Sequence, residues 1–270
     1  MVKLTRFVSC LFFVWTATCQ FEANPAFGQE PEDTAKPAVT SETSDDQSSL
    51  LNANSDGPTF KSYFRNILTD EKVIWSSPGR MNRRQWFTIA LPFAAATAGL
   101  VASDREAATA LPNTPDQIRW SERVSHLGGL YTLGGVIGAE LLIGKTTDHP
   151  HLSQLGRLTS EAVIDSMVVS YGVKTLTTRE RPLENQGQGR FWKGSDSFPS
   201  GHATHSWAAA MVIARDPHAP KWLKVTACSV ATAVSLSRWS GQKHFPSDIF
   251  VGSVFGGLIG NYVATRPGGF

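Results

Sequence analysis

Apolar positions along this chain recur at helical spacing. Phe60, Tyr63, Phe64, Ile67 and Leu68 fall at i, i+3, i+4, i+7 and i+8, the pattern of one face of an amphipathic helix. Longer apolar blocks follow at Trp86–Ala102, Leu127–Ile143, Ala162–Val173, Ala203–Ala214, Val225–Leu236 and Ile249–Ala264. No alternating, strand-like stretch of comparable length interrupts them, and Pro182, Pro199, Pro217, Pro220 and Pro246 punctuate the later ones. The expectation is an all-α bundle of about six core helices with a flanking N-terminal amphipathic helix. Two blocks run long without a charge: Gln85–Ser103 for 19 residues and Ile249–Thr265 for 17. These approach the length that crosses a bilayer, whereas Glu140, Asp165 and His205 interrupt others. For the Phe60–Leu68 face, packing on the bundle is preferred to lying on a lipid surface.

Before the first helical block the pattern fails altogether. Lys3 and Arg6 precede an apolar run from Phe7 to Thr18, and Ala26-Phe27-Gly28 offers a small-x-small cleavage site. Residues 1–28 therefore read as a secretory signal peptide, which places the protein in the periplasm or on a periplasm-facing membrane. Residues 29–58 read as a disordered acidic linker, holding seven acids against Lys36 before Pro58. Residues 59–270 read as one helical domain. The chain's formal charge of +2 hides this division, because residues 58–270 hold 22 basic and 15 acidic residues. The near-neutral balance of the whole chain gives no case for a dedicated nucleic-acid binder, while a basic core suits an anionic substrate or lipid surface. Of three cysteines, only Cys228 lies beyond the leader, in an apolar run, where it reads as a small buried hydrophobe. The 41% apolar and 18% charged residues are those of an ordinary globular protein and speak against a uniformly hydrophobic polytopic one.

Candidate chemistry lies in the second half. Lys174 precedes Arg181-Pro182 by seven residues, Pro199-Ser200-Gly201-His202 opens one apolar helix, and Ser237-Arg238, His244 and Asp248 lead into another. Lys174, Arg181 and Arg238 supply three cations, and arginine forks bind phosphate oxygens in pairs. Ser200 and Gly201 sit where a loop becomes a helix, so free N–H groups and the helix dipole favour an anion there. Four residues separate His244 from Asp248, close enough for the carboxylate to hold the ring N–H. An imidazole so oriented, aimed at a phosphorus held by cations, is an activated nucleophile. His202 is then available to protonate the leaving oxygen. The arrangement points to phosphoryl transfer through a phosphohistidine.

The spacing K-x-x-x-x-x-x-R-P, P-S-G-H and S-R-x-x-x-x-x-H-x-x-x-D resembles the three-part signature of the type 2 phosphatidic acid phosphatase superfamily. Sixteen residues separate Pro182 from Pro199, and thirty-four separate His202 from Ser237. The resemblance implies that His244 is the nucleophile, Asp248 its orienting carboxylate, and His202 the general acid and later activator of water. It implies a phosphate cradle of Lys174, Arg181, Ser200, Gly201 and Arg238, with no metal and no cofactor. The implied substrate is a phosphorylated lipid or a small phosphoester, with association to a membrane. The superfamily also contains vanadium-dependent haloperoxidases, and that activity is the alternative within the same pocket. A non-catalytic module binding phosphate head groups is the other. Outside the signature, His205 reads as a hydrogen-bonded core histidine and His149-Pro150-His151 as an exposed loop, while for Phe191-Trp192-Lys193, before the P-S-G-H turn, shaping substrate entry is the less favoured of two readings.

Overall fold

The computed structural model describes residues 60–270. The proposed signal peptide and acidic linker lie outside the described residues. Among those described there is no strand, and the predicted all-α bundle is what forms. Helix α1 spans Phe60–Arg80. Helix α2 runs from Arg83 to Thr109 with one π turn at Trp86–Ala90. Helices α3 (Pro115–Ser125) and α4 (Leu130–Thr146) are joined by the single turn His126–Gly128. Then come α5 (Pro150–Thr177), α6 (Gly201–Arg215), α7 (Lys221–Ser240) and α8 (Pro246–Thr265).

Local chemistry sets these boundaries. At the start of α2, Asn82 Oδ1 accepts from the Gln85 N–H while Gln85 Oε1 accepts from the Asn82 N–H, a reciprocal cap at 2.9 Å each way. Proline opens α3, α5 and α8, where a missing N–H costs nothing. Helix α5 stops at Thr178, which adopts a left-handed φ of 36°. It also begins at Pro150, twelve residues before the predicted block, so His151 lies in a first helical turn and not in an exposed loop. The polar helix α3 escapes an apolar-block reading, although Thr114 caps it and Pro115-Asp116 mark its start.

Helices α6 and α8 form the axis of the bundle. Gly252, Gly256 and Gly260 line one face of α8, and a Cβ on any of them would come within 2.7 Å of an α6 carbonyl oxygen. Around that contact Leu158, Ala162, Ala208, Val212, Ile259 and Val263 close the main apolar core with α5. Cys228 packs against Trp207, Ala210 and Ala231, as the sequence implied. The Ile249–Thr265 run is thus a core helix enclosed by protein, not an outward-facing span.

The outward-facing apolar helices are others. Arg83–Thr109 and Pro115–Thr146 are long and apolar enough to cross a membrane, and little of either apolar stretch is covered by protein. Leu91, Leu130, Val136, Leu142 and Ile143 are all exposed. Helix α1 divides its pattern between two faces. Ile67 and Tyr63 turn inward, the latter hydrogen-bonded to Ser160 at 2.9 Å, while Phe60, Phe64 and Leu68 form an outward stripe.

A buried charge cluster ties α1, α5 and the end of α8 together. The Arg266 guanidinium lies 2.9 Å from Asp70 and bonds Glu161, which also pairs with Arg157 at 3.0 Å. Asp70 and Glu161 are almost fully enclosed. Breaking such a pair leaves an uncompensated buried charge, so Arg266→Ala is expected to cost about 3–5 kcal/mol of stability. Chemical denaturation of the two proteins checks this; an unchanged midpoint would show the cluster to be solvated and weak.

Candidate active site

The three signature segments meet at one end of the bundle: the end of α5, the starts of α6 and α8, and the turn after α7. His244 is 2% exposed, too enclosed for bulk water to compete for its ring. Its Nδ1 lies 2.7 Å from the Ser197 carbonyl oxygen. A carbonyl only accepts, so Nδ1 bears the proton and Nε2 keeps its lone pair. Burial, reinforced by the charges of Lys174, Arg238 and Arg181, holds the imidazole well below its ordinary pKa. It is therefore a neutral ring with one free nitrogen.

Asp248 stands 3.7 Å from His244 Nδ1, beyond hydrogen-bond reach. Direct orientation of the ring by the carboxylate gives way here to an indirect route. Asp248 accepts from the Phe245 N–H at 2.8 Å and from the Ser197 hydroxyl, and the Ser197 carbonyl then holds the ring. The backbone N–H of Ser200 donates to the Asp248 carbonyl at 2.9 Å, which joins the starts of α6 and α8.

Sequence reasoning missed the residue that organises this arrangement. Arg179 is 1% exposed and its guanidinium makes four hydrogen bonds. It donates to Asp248 at 2.6 Å, Asp104 at 2.7 Å, Ser247 at 2.7 Å and the Gly189 carbonyl at 2.9 Å. The Phe191 and Phe245 rings flank it at 4.6 and 4.5 Å. Gly189, at φ 58°, admits no side chain, since a Cβ there would lie 2.7 Å from the Phe245 ring. Asp104 comes from α2, 75 residues earlier in the chain. Only the position of Arg179, two residues before Arg181, hinted at a role.

The cations line the pocket beside His244. Arg181 donates to Asp196 at 2.9 Å through Nε, and Lys174 lies 3.7 Å from the same carboxylate while bonding the Asp196 backbone carbonyl. Partial burial pushes the Asp196 carboxyl up, but the Arg181 hydrogen bond and the Lys174 and Arg181 charges outweigh it, and its pKa is lowered. Burial lowers the Lys174 ammonium. It also lowers Arg238 to about 10, with Arg181 adding repulsion. Arg238 fixes the turn that bears His244 too, because its carbonyl accepts from the Lys243 and His244 N–H groups at 3.0 and 3.1 Å. Ser200 Oγ and Arg238 Nε are enclosed and meet no hydrogen-bond partner among the described residues. A Cβ on Gly201 would touch His205 Nε2 at 3.4 Å and Lys174 Cε at 3.9 Å, so glycine keeps this wall open.

His202 is partly buried on the first turn of α6. Burial, then the charges of Arg238 and other nearby groups, lower its pKa to about 4. His205 has a different place. Ser166 Oγ spends its proton on the Val163 carbonyl, so it accepts from His205 Nδ1 at 2.8 Å. His205 is the hydrogen-bonded core histidine the sequence suggested.

Three cations, an unpartnered hydroxyl and two neutral imidazoles at one helical-bundle end define a class: a hydrolase acting on phosphoric ester bonds. The same stretch of chain carries a family match: residues 158–268 match the family model of the PAP2 superfamily. No curated protein matches the sequence. Among solved structures, Aquifex aeolicus LpxE is similar at 20% identity and a TM-score of 0.44, covering 56% of this chain and 87% of its own. A transmembrane PAP2-type phosphatidylglycerolphosphate phosphatase from Bacillus subtilis is similar at 20% identity and a TM-score of 0.46, covering 75% and 92%.

Asp196 occupies the cations that a phosphate would need, yet its carboxylate is half-exposed and Lys174 is also held by the backbone. Asp196→Asn removes the competing charge and leaves that backbone bond. It is expected to tighten inhibition by inorganic phosphate about 2- to 5-fold, the worth of an exposed ion pair. Weaker phosphate inhibition in the variant would mean that Asp196 positions the cations instead of competing for them.

Proposed function

We propose that this protein is a lipid phosphatase that works through a phosphohistidine. The nucleophile is His244 Nε2. The observation that supports it most directly is the bond from His244 Nδ1 to the Ser197 carbonyl, which leaves Nε2 unprotonated and aimed away from its anchor. Lys174, Arg181, Arg238, Ser200 Oγ and the Gly201 N–H hold the phosphoryl oxygens. Nε2 attacks phosphorus, the P–O bond to the leaving group breaks, and His202 gives that oxygen a proton. His202 then takes a proton from water, which attacks the phosphohistidine, releasing phosphate and restoring His244. Preorganised cations supply most of the rate by matching charge on the transferring group.

A lipid substrate is favoured by where the pocket lies. Helix α2 ends beside the pocket through Asp104, and α4 starts at the same end, after the His126 turn. The 19 uncharged residues of α2 span about 28 Å at 1.5 Å per residue, close to the hydrocarbon thickness. The exposed Trp120 and Trp192 lie at the pocket end, and the exposed Trp86 and Trp222 at the starts of α2 and α7, away from it. Aromatic side chains at two such levels suit the two membrane interfaces. The phosphate pocket then opens at head-group depth. The leader read in residues 1–28 would set this face toward the periplasm.

Two experiments test the proposal. Brief reaction with radiolabelled phosphoester should label wild-type protein in an acid-labile, base-stable form. His244→Ala should take no label and lose turnover by at least about 1,000-fold. With an aryl phosphate, whose leaving group needs no proton, His202→Ala should still form the phosphohistidine yet discharge it slowly. Because His202 must be protonated to act as the acid, kcat should fall as pH rises through its pKa in the complex. With a value of about 4 in the protein alone, the optimum is expected on the acid side of neutrality, and His202→Ala should flatten that alkaline limb. Label on the His244→Ala protein would end the nucleophile assignment.

For the substrate, kcat/KM on phosphatidate or a polyprenyl diphosphate in mixed micelles should exceed that on para-nitrophenyl phosphate at least about tenfold. Equal values would return the reading to a soluble phosphoester.

A further inference from the structure

The opposite end of the bundle holds a second group of chemically competent side chains. His151 lies on the first turn of α5, Asp216 caps the end of α6, and His218 follows in the turn toward α7. Asp216 is fourteen residues beyond His202 along α6, about 21 Å of helix, so this group is separate from the phosphate pocket. His151 Nε2 lies 3.0 Å from Asp216 Oδ2, and His218 Nδ1 lies 3.7 Å from Asp216 Oδ1. The two imidazole rings meet edge to face with centroids 4.3 Å apart. One ligand atom from each residue falls within 4.8 Å of the other two.

We propose that His151, Asp216 and His218 form a binding site for a divalent transition metal, zinc foremost. Two imidazole nitrogens and one carboxylate oxygen are a borderline donor set that suits zinc, cobalt or nickel over magnesium or calcium. Ligand atoms about 2.0–2.1 Å from a tetrahedral ion sit roughly 3.3 Å apart, so His151 and Asp216 already stand near that edge. His218, 72% exposed, is free to turn its ring and close the remaining gap. Asp216 is held for the task, because its Oδ1 accepts from the His218 backbone N–H at 2.8 Å and its side chain is 4% exposed. The exposed side of His218 leaves the fourth position to water. Metal binding would replace the proton that His151 Nε2 now gives Asp216, and would pin the start of α5 to the α6–α7 turn.

The consequence is a metal that stabilises the fold without taking part at the phosphate pocket. The test uses the full chain, with any histidine purification tag removed, titrated with Co²⁺ and then Zn²⁺. One equivalent of Co²⁺ should develop the visible absorption of a four-coordinate site, and Zn²⁺ should abolish it. His218→Ala, a change at an exposed residue, should weaken binding at least about 100-fold. Asp216→Asn should do the same. Zn²⁺ should raise the wild-type melting midpoint and not that of His218→Ala, while phosphatase turnover at 25 °C stays equal in the two. Failure to bind either ion at micromolar concentration, or binding that survives both substitutions, would overturn the site. Neither result bears on the His244 assignment, because phosphoenzyme labelling is read separately.

Discussion

Arg179 puts a full positive charge where no water reaches it, and the catalytic end of the bundle is built around the cost of doing so. A buried guanidinium is tolerable only if every N–H finds an acceptor and its charge is met by an anion. Asp104 from α2, Asp248 from α8, the Ser247 hydroxyl and the Gly189 carbonyl from the loop between α5 and α6 accept four of its hydrogen bonds, with two aromatic rings covering its faces. None of these segments is near another in sequence. Each is drawn to the same point because leaving it would strand a charge. His244 inherits its position at one remove, since Asp248 holds the Ser197 hydroxyl and the Phe245 N–H, and the Ser197 carbonyl holds the His244 ring.

That arrangement also explains why neutral histidines and charged cations coexist so closely. Burial, with Lys174, Arg181 and Arg238 adding repulsion, disfavours protonation of His244 and His202. An imidazolium would have no lone pair, so this environment keeps His244 able to play the part proposed for it. In the proposed reaction a dianionic phosphate would reverse the local field and raise the proton affinity of His202. Asp196 supplies a weaker version of the same compensation from the protein itself.

Helical spacing in the sequence located every apolar block, and the ordered spacing of lysine, arginines, histidines and aspartate picked out segments that the fold gathers at one end of the bundle. What remained illegible was illegible for physical reasons. Arg179 and Asp104 are linked by burial across 75 residues, and no local pattern encodes such a pair. Helix α3 buries little apolar surface, so periodicity passes over it, although Thr114 and Pro115 mark its start. The loop reading of His149-Pro150-His151 fails at His151, because proline opens the helix there. Apolar length alone also could not tell α8 from a lipid-facing span. Both α2 and α8 lack charges over most of their length, and only their neighbours distinguish them.

Those neighbours are chosen by glycine. On α8 the Gly252, Gly256 and Gly260 face lets its backbone press against α6 so closely that side chains at these positions would strike carbonyl oxygens. Small residues at four-residue spacing favour such contacts in water and in lipid alike. Helix α2 has Gly99 in its apolar run, but a Cβ there would meet nothing. The close contact therefore belongs to α6 and α8, the two helices whose first turns bear His202 and Asp248. Packing backbone against backbone fixes their relative height more tightly than interdigitated long side chains would, and the Ser200 N–H to Asp248 carbonyl bond records the resulting register. The catalytic geometry is thus set by the interior helices, which leaves α2 and α4 free to present apolar surface outward without disturbing it.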